Sequence, residues 1–313
     1  MLAMLVVVLG AYTRLADAGL GCPDWPGCYG FLTVPESAED IAQAETLYPD
    51  APVERAKAWW EMVHRYFATG LGLLVLVLAG RAYLRRDEGG PVKLPVALLA
   101  LVIVQGAFGA WTVTMKLWPQ VVTAHLLGGF TTLSLLWLLC LRLGVGAGWD
   151  VSARLRTPAL VALIVLAMQI ALGGWVTSNY AALACPDFPT CHGEWIPDMD
   201  VAEGFNFAQA VGPNYLGGML DSEARVAIQV SHRLGAIVAT LAIGWLGLLL
   251  LRSGSPLGWP VLALLALQLL LGVLNVLLAL PLSNATLHNA FGAVLLLALV
   301  TVNYRAYLGG MRS

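Results

Sequence analysis

Four of the five histidines occupy repeated positions. His64 and His232 are each followed by an arginine, Arg65 and Arg233. His125 sits in AHLLGG and His288 in LHNAFGA, 163 positions apart. Each lies in a long apolar segment, within about two helical turns of the same end, at a rise of about 1.5 Å per residue. A lone intramembrane histidine is often bonded to a neighbouring helix, but four in two matched pairs, in a setting where polar groups are expensive, point to a ligand. Zinc would ask for three or four donors, and Cys140 is the only cysteine near these segments, at the opposite end. Two imidazoles per bundle, with no third repeated donor, suit a planar macrocycle held at both axial positions. The expected sites are two bis-histidine haems, His64/His125 and His232/His288.

The repeat breaks at one informative place. Glu61 stands three residues before His64, whereas Gln229 stands three before His232. Residues i and i+3 share a helix face, so each should point toward its histidine's site. A carboxylate kept in only one half implies proton transfer or stabilisation of positive charge there, unless it merely faces headgroup water. Arg65 and Arg233 are candidate propionate contacts through paired hydrogen bonds; the alternative is an arginine reaching to lipid headgroups. Gly128, Gly129, Gly235 and Gly292 would allow a flat ring or a helix to come close.

Two cysteine motifs repeat as well. Cys22-Pro-Asp-Trp-Pro-Gly-Cys28 matches Cys185-Pro-Asp-Phe-Pro-Thr-Cys191. Their short spacing favours the local bridges Cys22–Cys28 and Cys185–Cys191, on a side of the membrane where disulfides persist. They could staple loops over the haem mouths or form an exposed, redox-active pair. His192 follows Cys191 without a counterpart and is assigned no role.

The elements that must position these residues are membrane helices. The chain has 313 residues, 59% of them hydrophobic and 12% charged, with a mean hydropathy of +0.77. Eight spans are expected, near 1–14, 57–80, 95–115, 121–142, 157–178, 224–251, 257–280 and 285–308. The first is short. A signal peptide is the rival reading, but its basic leader is missing and the repeat counts against it; from the repeat offset, a few further native residues before Met1 are expected. Lys and Arg concentrate at 81–95, 142–156, Arg252 and the C-terminus, whereas residues 15–56 and 179–223 are acidic. Both termini are therefore expected to be cytoplasmic, with the cysteine loops outside. The duplication is parallel. The expected fold is all-α and membrane-integral, with two tandem pseudo-symmetric four-helix bundles, residues 1–146 and 147–313.

TRLADAGLGCPDWPGCYG from Thr13, the ExxHR of Glu61–Arg65, AHLLGG, CPDFPTC, SHRLGA from Ser231 and LHNAFGA together resemble the haem A synthase family over nearly the whole chain. Ala16-Asp17 departs slightly, where the family more often has a small polar pair. The resemblance implies oxidation of the C8 methyl of haem O to a formyl group, giving haem A for terminal oxidases. It implies that His64 and His125 hold substrate haem O in the N-terminal half, with Glu61 as the catalytic carboxylate. His232 and His288 would be axial ligands of a haem B iron, the electron-transfer cofactor of the C-terminal half. Further expectations are a bacterial or archaeal plasma membrane, haem O delivered by a haem O synthase, an electron acceptor of unspecified kind, and lipid but no nucleic acid as partners. Two axial histidines leave iron no open position. Either one must leave, or electrons are withdrawn and water attacks the methyl near Glu61. The alternative function is a non-catalytic dihaem electron carrier of cytochrome b type, which gives Glu61 no task; a transporter is more distant.

Overall fold

Segments this apolar have one solution in hydrocarbon, because a helix satisfies its backbone hydrogen bonds within itself. The computed structural model describes residues 1–146 and 150–309. Its described residues form helices α1 (Leu2–Leu15), α2 (Ala38–Leu47), α3 (Arg55–Leu84), α4 (Lys93–Thr114), α5 (Pro119–Arg142), α6 (Arg156–Ser178), α7 (Val201–Gly204), α8 (Ser222–Arg252), α9 (Gly258–Leu277) and α10 (Leu282–Gly309). Among them no strand forms; pairing is limited to the isolated bridges Cys28–Phe31 and Cys191–Glu194.

Seven of the described helices (α3, α4, α5, α6, α8, α9 and α10) are long and apolar enough to cross a membrane. They turn apolar side chains outward, as with Leu74 at 58%, Ile103 at 66% and Leu241 at 69% exposure. A water-soluble surface does not carry so much large apolar area; these are the properties of an integral membrane protein. The seven helices follow the expected spans to within about three residues at most ends. The first expected span is α1, which at 14 residues is shorter than the roughly 20 needed for a hydrocarbon core of about 30 Å. Helices α2 and α7 were not expected. Ser37 caps α2 by accepting from the Asp40 N–H at 3.0 Å, and Asp200 caps α7 by accepting from Glu203 N–H at 2.9 Å.

Four helix ends repeat one another in backbone detail. α1, α4, α6 and α9 each close with a six-residue hydrogen bond: Ala18 N–H to Thr13 O, Leu117 to Thr112, Ala181 to Val176 and Leu280 to Asn275. Each closure contains a left-handed residue that is not glycine, among them Asp17, Lys116, Tyr180 and Ala279. This is the Schellman arrangement, here at a cost of about 1 kcal/mol where glycine would be free. Asp17 and Tyr180 stand 163 positions apart, as do Lys116 and Ala279. The duplication thus extends to backbone torsions.

The chain groups into two compact units, each with its own packing. One comprises Met1–Thr132 with Thr177–Asn179 and Asn206–Met219; the other comprises Leu133–Val176, Tyr180–Phe205 and Leu220–Ser313. In the first, α3 packs against α1 and α4; in the second, α9 packs against α8 and α10, and α7 against α8. The half boundary expected at 146/147 borders residues 147–149, which lie outside the described residues. Each cysteine loop brings a small core of its own. Cys22, Cys28, Tyr29, Val34 and Ala44 pack on Ala58 and Met62 of α3, while Cys185 and Cys191 pack on Val226 of α8.

Candidate functional site

Each of the four repeated histidines rests on a glycine of another helix. A methyl added at Gly10 of α1 would lie 2.9 Å from His64 Cε1, and one at Gly109 of α4 would lie 3.4 Å from His125 Cε1. In the second unit the corresponding distances are 3.3 Å for Gly173 of α6 to His232 and 3.2 Å for Gly272 of α9 to His288. A methyl would clash with the ring at Gly10 and crowd it at Gly173 and Gly272, whereas at Gly109 it would only touch it. Gly10 and Gly173 are 163 positions apart, as are Gly109 and Gly272, so the cradle belongs to the repeat.

A glutamine stands one turn before three of these glycines: Gln105, Gln169 and Gln268. Gln169 Nε2 donates to the His232 carbonyl at 3.0 Å and lies 3.2 Å from its Nδ1. Gln268 Nε2 donates to the His288 carbonyl at 3.0 Å and lies 3.3 Å from its Nε2. Gln105 packs its amide against Gly128 of α5, where no Cβ could fit. The fourth place, one turn before Gly10, is Val6.

His64 and His125 are close enough to interact electrostatically, and so are His232 and His288. The structure therefore brings together each pair expected within a half. Backbone carbonyls of Val6, Gln105 and Gln268 approach His64, His125 and His288. Yet the buried Nδ1 atoms of these three rings complete no hydrogen bond among the described residues. A buried ring nitrogen left without a partner is costly unless the ring serves a ligand. Among the described residues no three His, Cys, Asp or Glu side chains gather to hold a bare metal ion. Paired imidazoles over glycine cradles would suit a haem, which they could hold from two helices.

Glu61 is 4% exposed on α3. One oxygen accepts the Cys22 N–H at 2.9 Å, and the other pairs with Arg65. Gln229, its counterpart on α8, is 5% exposed, and its Oε1 finds no partner among the described residues. The first unit thus buries an ionic link between helix and loop where the second buries a neutral amide.

Both arginines reach into the cysteine loops. Arg65 donates to the carbonyls of Gly27 at 2.7 Å and Asp24 at 3.1 Å. Arg233 donates to those of Thr190 at 2.7 Å, Asp187 at 2.9 Å and Cys185 at 3.0 Å. Their guanidiniums act as braces for the loops, a role the sequence reading did not foresee. Within the loops, Cys22–Cys28 and Cys185–Cys191 stand at disulfide bonding distance. Cys140 is the free cysteine among the described residues.

Each loop ends in the same turn, with two central residues at positive φ: Tyr29-Gly30 and His192-Gly193. That is the signature of a type I′ turn, and an aspartate holds it from inside. Asp24 accepts from Tyr29 N–H at 2.5 Å and Gly30 N–H at 2.9 Å. Asp187 accepts from His192 N–H at 2.6 Å and Gly193 N–H at 3.0 Å. Hydrogen bonds from the Thr190 hydroxyl and the Gly193 and His192 amides hold the Asp187 carboxyl down at about 2. Burial, reinforced by Glu54, pushes the Tyr29 phenol up to about 12. His192 is therefore Tyr29's structural counterpart, a place in a turn.

The paired histidines, the carboxylate confined to one unit and the braced cysteine loops define a helical membrane protein with a duplicated motif set. Residues 1–300 match the family described as cytochrome oxidase assembly protein (COX15-CtaA), and the chain belongs to that family. It is 48% identical to the haem A synthase of Shewanella oneidensis over 306 residues, covering 96% of this chain and 92% of that protein. It is also 31% identical to the haem A synthase of Caulobacter vibrioides, with 95% and 90% covered.

Proposed function

We propose that this chain is an oxidoreductase that converts haem O to haem A, oxidising the C8 methyl to a formyl group. The observation that carries the reading is the placement of Glu61. It is a buried carboxylate one turn from His64, in the unit where His64 meets His125, and the second unit has Gln229 in its place. His64 and His125 would hold the substrate, and His232 and His288 would hold a retained haem B. When bound, that haem supplies one-electron redox chemistry. The whole is an eight-span protein of a bacterial plasma membrane, with α1 as the short first span, both termini cytoplasmic and the cysteine loops outside. Its two tandem halves are residues 1–146 and 147–313. A haem O synthase delivers the substrate, and an acceptor outside the chain takes the electrons.

In this reading the residues divide the work by position. Gly10 and Gly109 set the planes of the ligand rings. Taking the formyl oxygen from water, the oxidation releases four protons and passes four electrons to the outside acceptor, and Glu61 takes up one of those protons. A proton on Glu61 weakens its hold on Arg65 or the Cys22 amide, so turnover is felt by the loop. Arg65 and Arg233 brace the loops and, one residue from a ligand, supply positive potential to the propionates.

Replacing Glu61 with glutamine tests the reading. The E61Q variant should retain haem in both units while haem A formation falls by about 10²- to 10⁴-fold, the usual range for a lost acid–base group. Haem A made at the wild-type rate would remove Glu61 from the mechanism.

A further inference from the structure

The two cysteine loops turn large apolar side chains outward. Leu32 is 90% exposed, Trp195 77% and Ile196 83%, and Trp25 and Phe188 are exposed as well. Leu32 matches Trp195, and Trp25 matches Phe188, at the same 163-residue offset as the cysteines. The exposure is therefore a property of the repeat. Its height along the helices says what lies beside it. Arg65 and Arg233, whose guanidiniums hold the loops, stand 20 and 19 positions from Arg85 and Arg252 at the other ends of α3 and α8. At a rise of about 1.5 Å per residue either interval is about 30 Å, the thickness of a hydrocarbon core. Each loop is thus braced where hydrocarbon gives way to headgroups.

The tips also continue the outward surface of the spanning helices. The Tyr66 hydroxyl donates to the Leu32 carbonyl at 3.3 Å. Tyr66 stands two residues past His64, on another face of α3, and is exposed there with Phe67. On α8 the residue after Arg233, Leu234, is exposed too. Irregular backbone is tolerated beside lipid only where protein satisfies its polar groups, and these turns meet that condition. Asp24 and Asp187 accept the N–H groups of Tyr29, Gly30, His192 and Gly193. Arg65 and Arg233 take the loop carbonyls, and Cys28 pairs with Phe31 as Cys191 pairs with Glu194.

We propose that both cysteine loops are membrane anchors, whose tips (Trp25 with Leu32, and Phe188 with Trp195 and Ile196) lie in the headgroup layer of the adjacent leaflet against phospholipid. Tryptophan is favoured at that boundary, where its ring is apolar and its N–H is wet. Glu194, exposed beside Trp195, stays on the polar side of the layer. The proposal concerns lipid alone and stands apart from the haem chemistry.

Tryptophan fluorescence of the full chain in phosphatidylcholine vesicles tests it. The chain has 11 tryptophans, so each tip is read as a difference from wild type. Trp195→Phe removes the emission of one tip, and Leu32→Trp adds emission at the other with the residue that the second loop already carries. Both difference spectra should be quenched when the lipid is brominated near the headgroup end of its chains, and should resist iodide in the water. Phe67→Trp, on the lipid-facing surface of α3, should behave alike. Glu45→Trp, on the exposed side of α2, should show the opposite pattern. Tips quenched by iodide and not by brominated lipid would lie in water, and the proposal would fall. Tips that neither agent reaches would be covered by protein, a second copy or another chain, and the proposal would fall equally.

Discussion

At the scale of single residues, the site depends on side chains that are absent as much as on those present. Gly10 is the tightest of the four cradles, with 2.9 Å between an added methyl and the His64 ring. Alanine is favoured over glycine in a helix by about 1 kcal/mol, so Gly10→Ala should leave thermal stability unchanged or slightly raised. It should nonetheless turn the His64 ring, lower haem content in the first unit and leave the His232/His288 spectrum intact. A melting temperature that falls together with both haem signals would show that the glycine serves packing only. The histidines, Glu61 and the cysteines were legible in the sequence because polar residues stand out against apolar segments and recur at fixed offsets. Gly10, Gly109, Gly173 and Gly272 were not, since glycine is common in membrane helices and only the contact reveals its purpose. The glutamines carried a readable signal, Gln followed four residues later by Gly in three of four places. It escaped notice because the histidines already accounted for the repeat.

At the scale of elements, the cysteine loops are organised from inside by an aspartate and from outside by an arginine. Asp187 is held at about 2 by the groups it binds, below its ordinary 3.8. A depressed carboxyl contributes stability above its unfolded value and loses it as pH falls through the folded one. The His192 and Gly193 amides should therefore stay protected from hydrogen exchange at neutral pH, weaken below about 4 and open near 2. In Asp187→Ala they should exchange freely at every pH, and unchanged protection in that variant would contradict the proposed brace. The long helices were legible from hydropathy because their composition leaves no other fold in lipid. The loop helices α2 and α7 were not. Ten and four residues long, they are too short for a clear period, and they owe their ends to the caps Ser37 and Asp200. The arginine braces could not be read either. A guanidinium beside a histidine suits a propionate, a headgroup or a carbonyl equally well until the loop's path is known.

At the scale of the whole molecule, the duplication gives one chain two matched pairs of histidines. Among the positions at which the two repeats differ, Glu61 against Gln229 bears on chemistry. The membrane-integral helical fold and the family were legible because the repeated motifs span nearly the entire chain. The division into units was less so, since packing groups the loop residues 206–219 with the N-terminal helices, which no periodicity announces. The central claim is that the chain converts haem O to haem A, and extracted haem tests it most directly. Membranes of a host that makes haem O but lacks haem A should be extracted with and without this chain, and the haems separated by chromatography. Haem A should accumulate only when the chain is present, and should vanish again in E61Q although haem remains bound. Haem O alone, alongside a chain carrying haem in both units, would contradict the account and leave a dihaem electron carrier in its place.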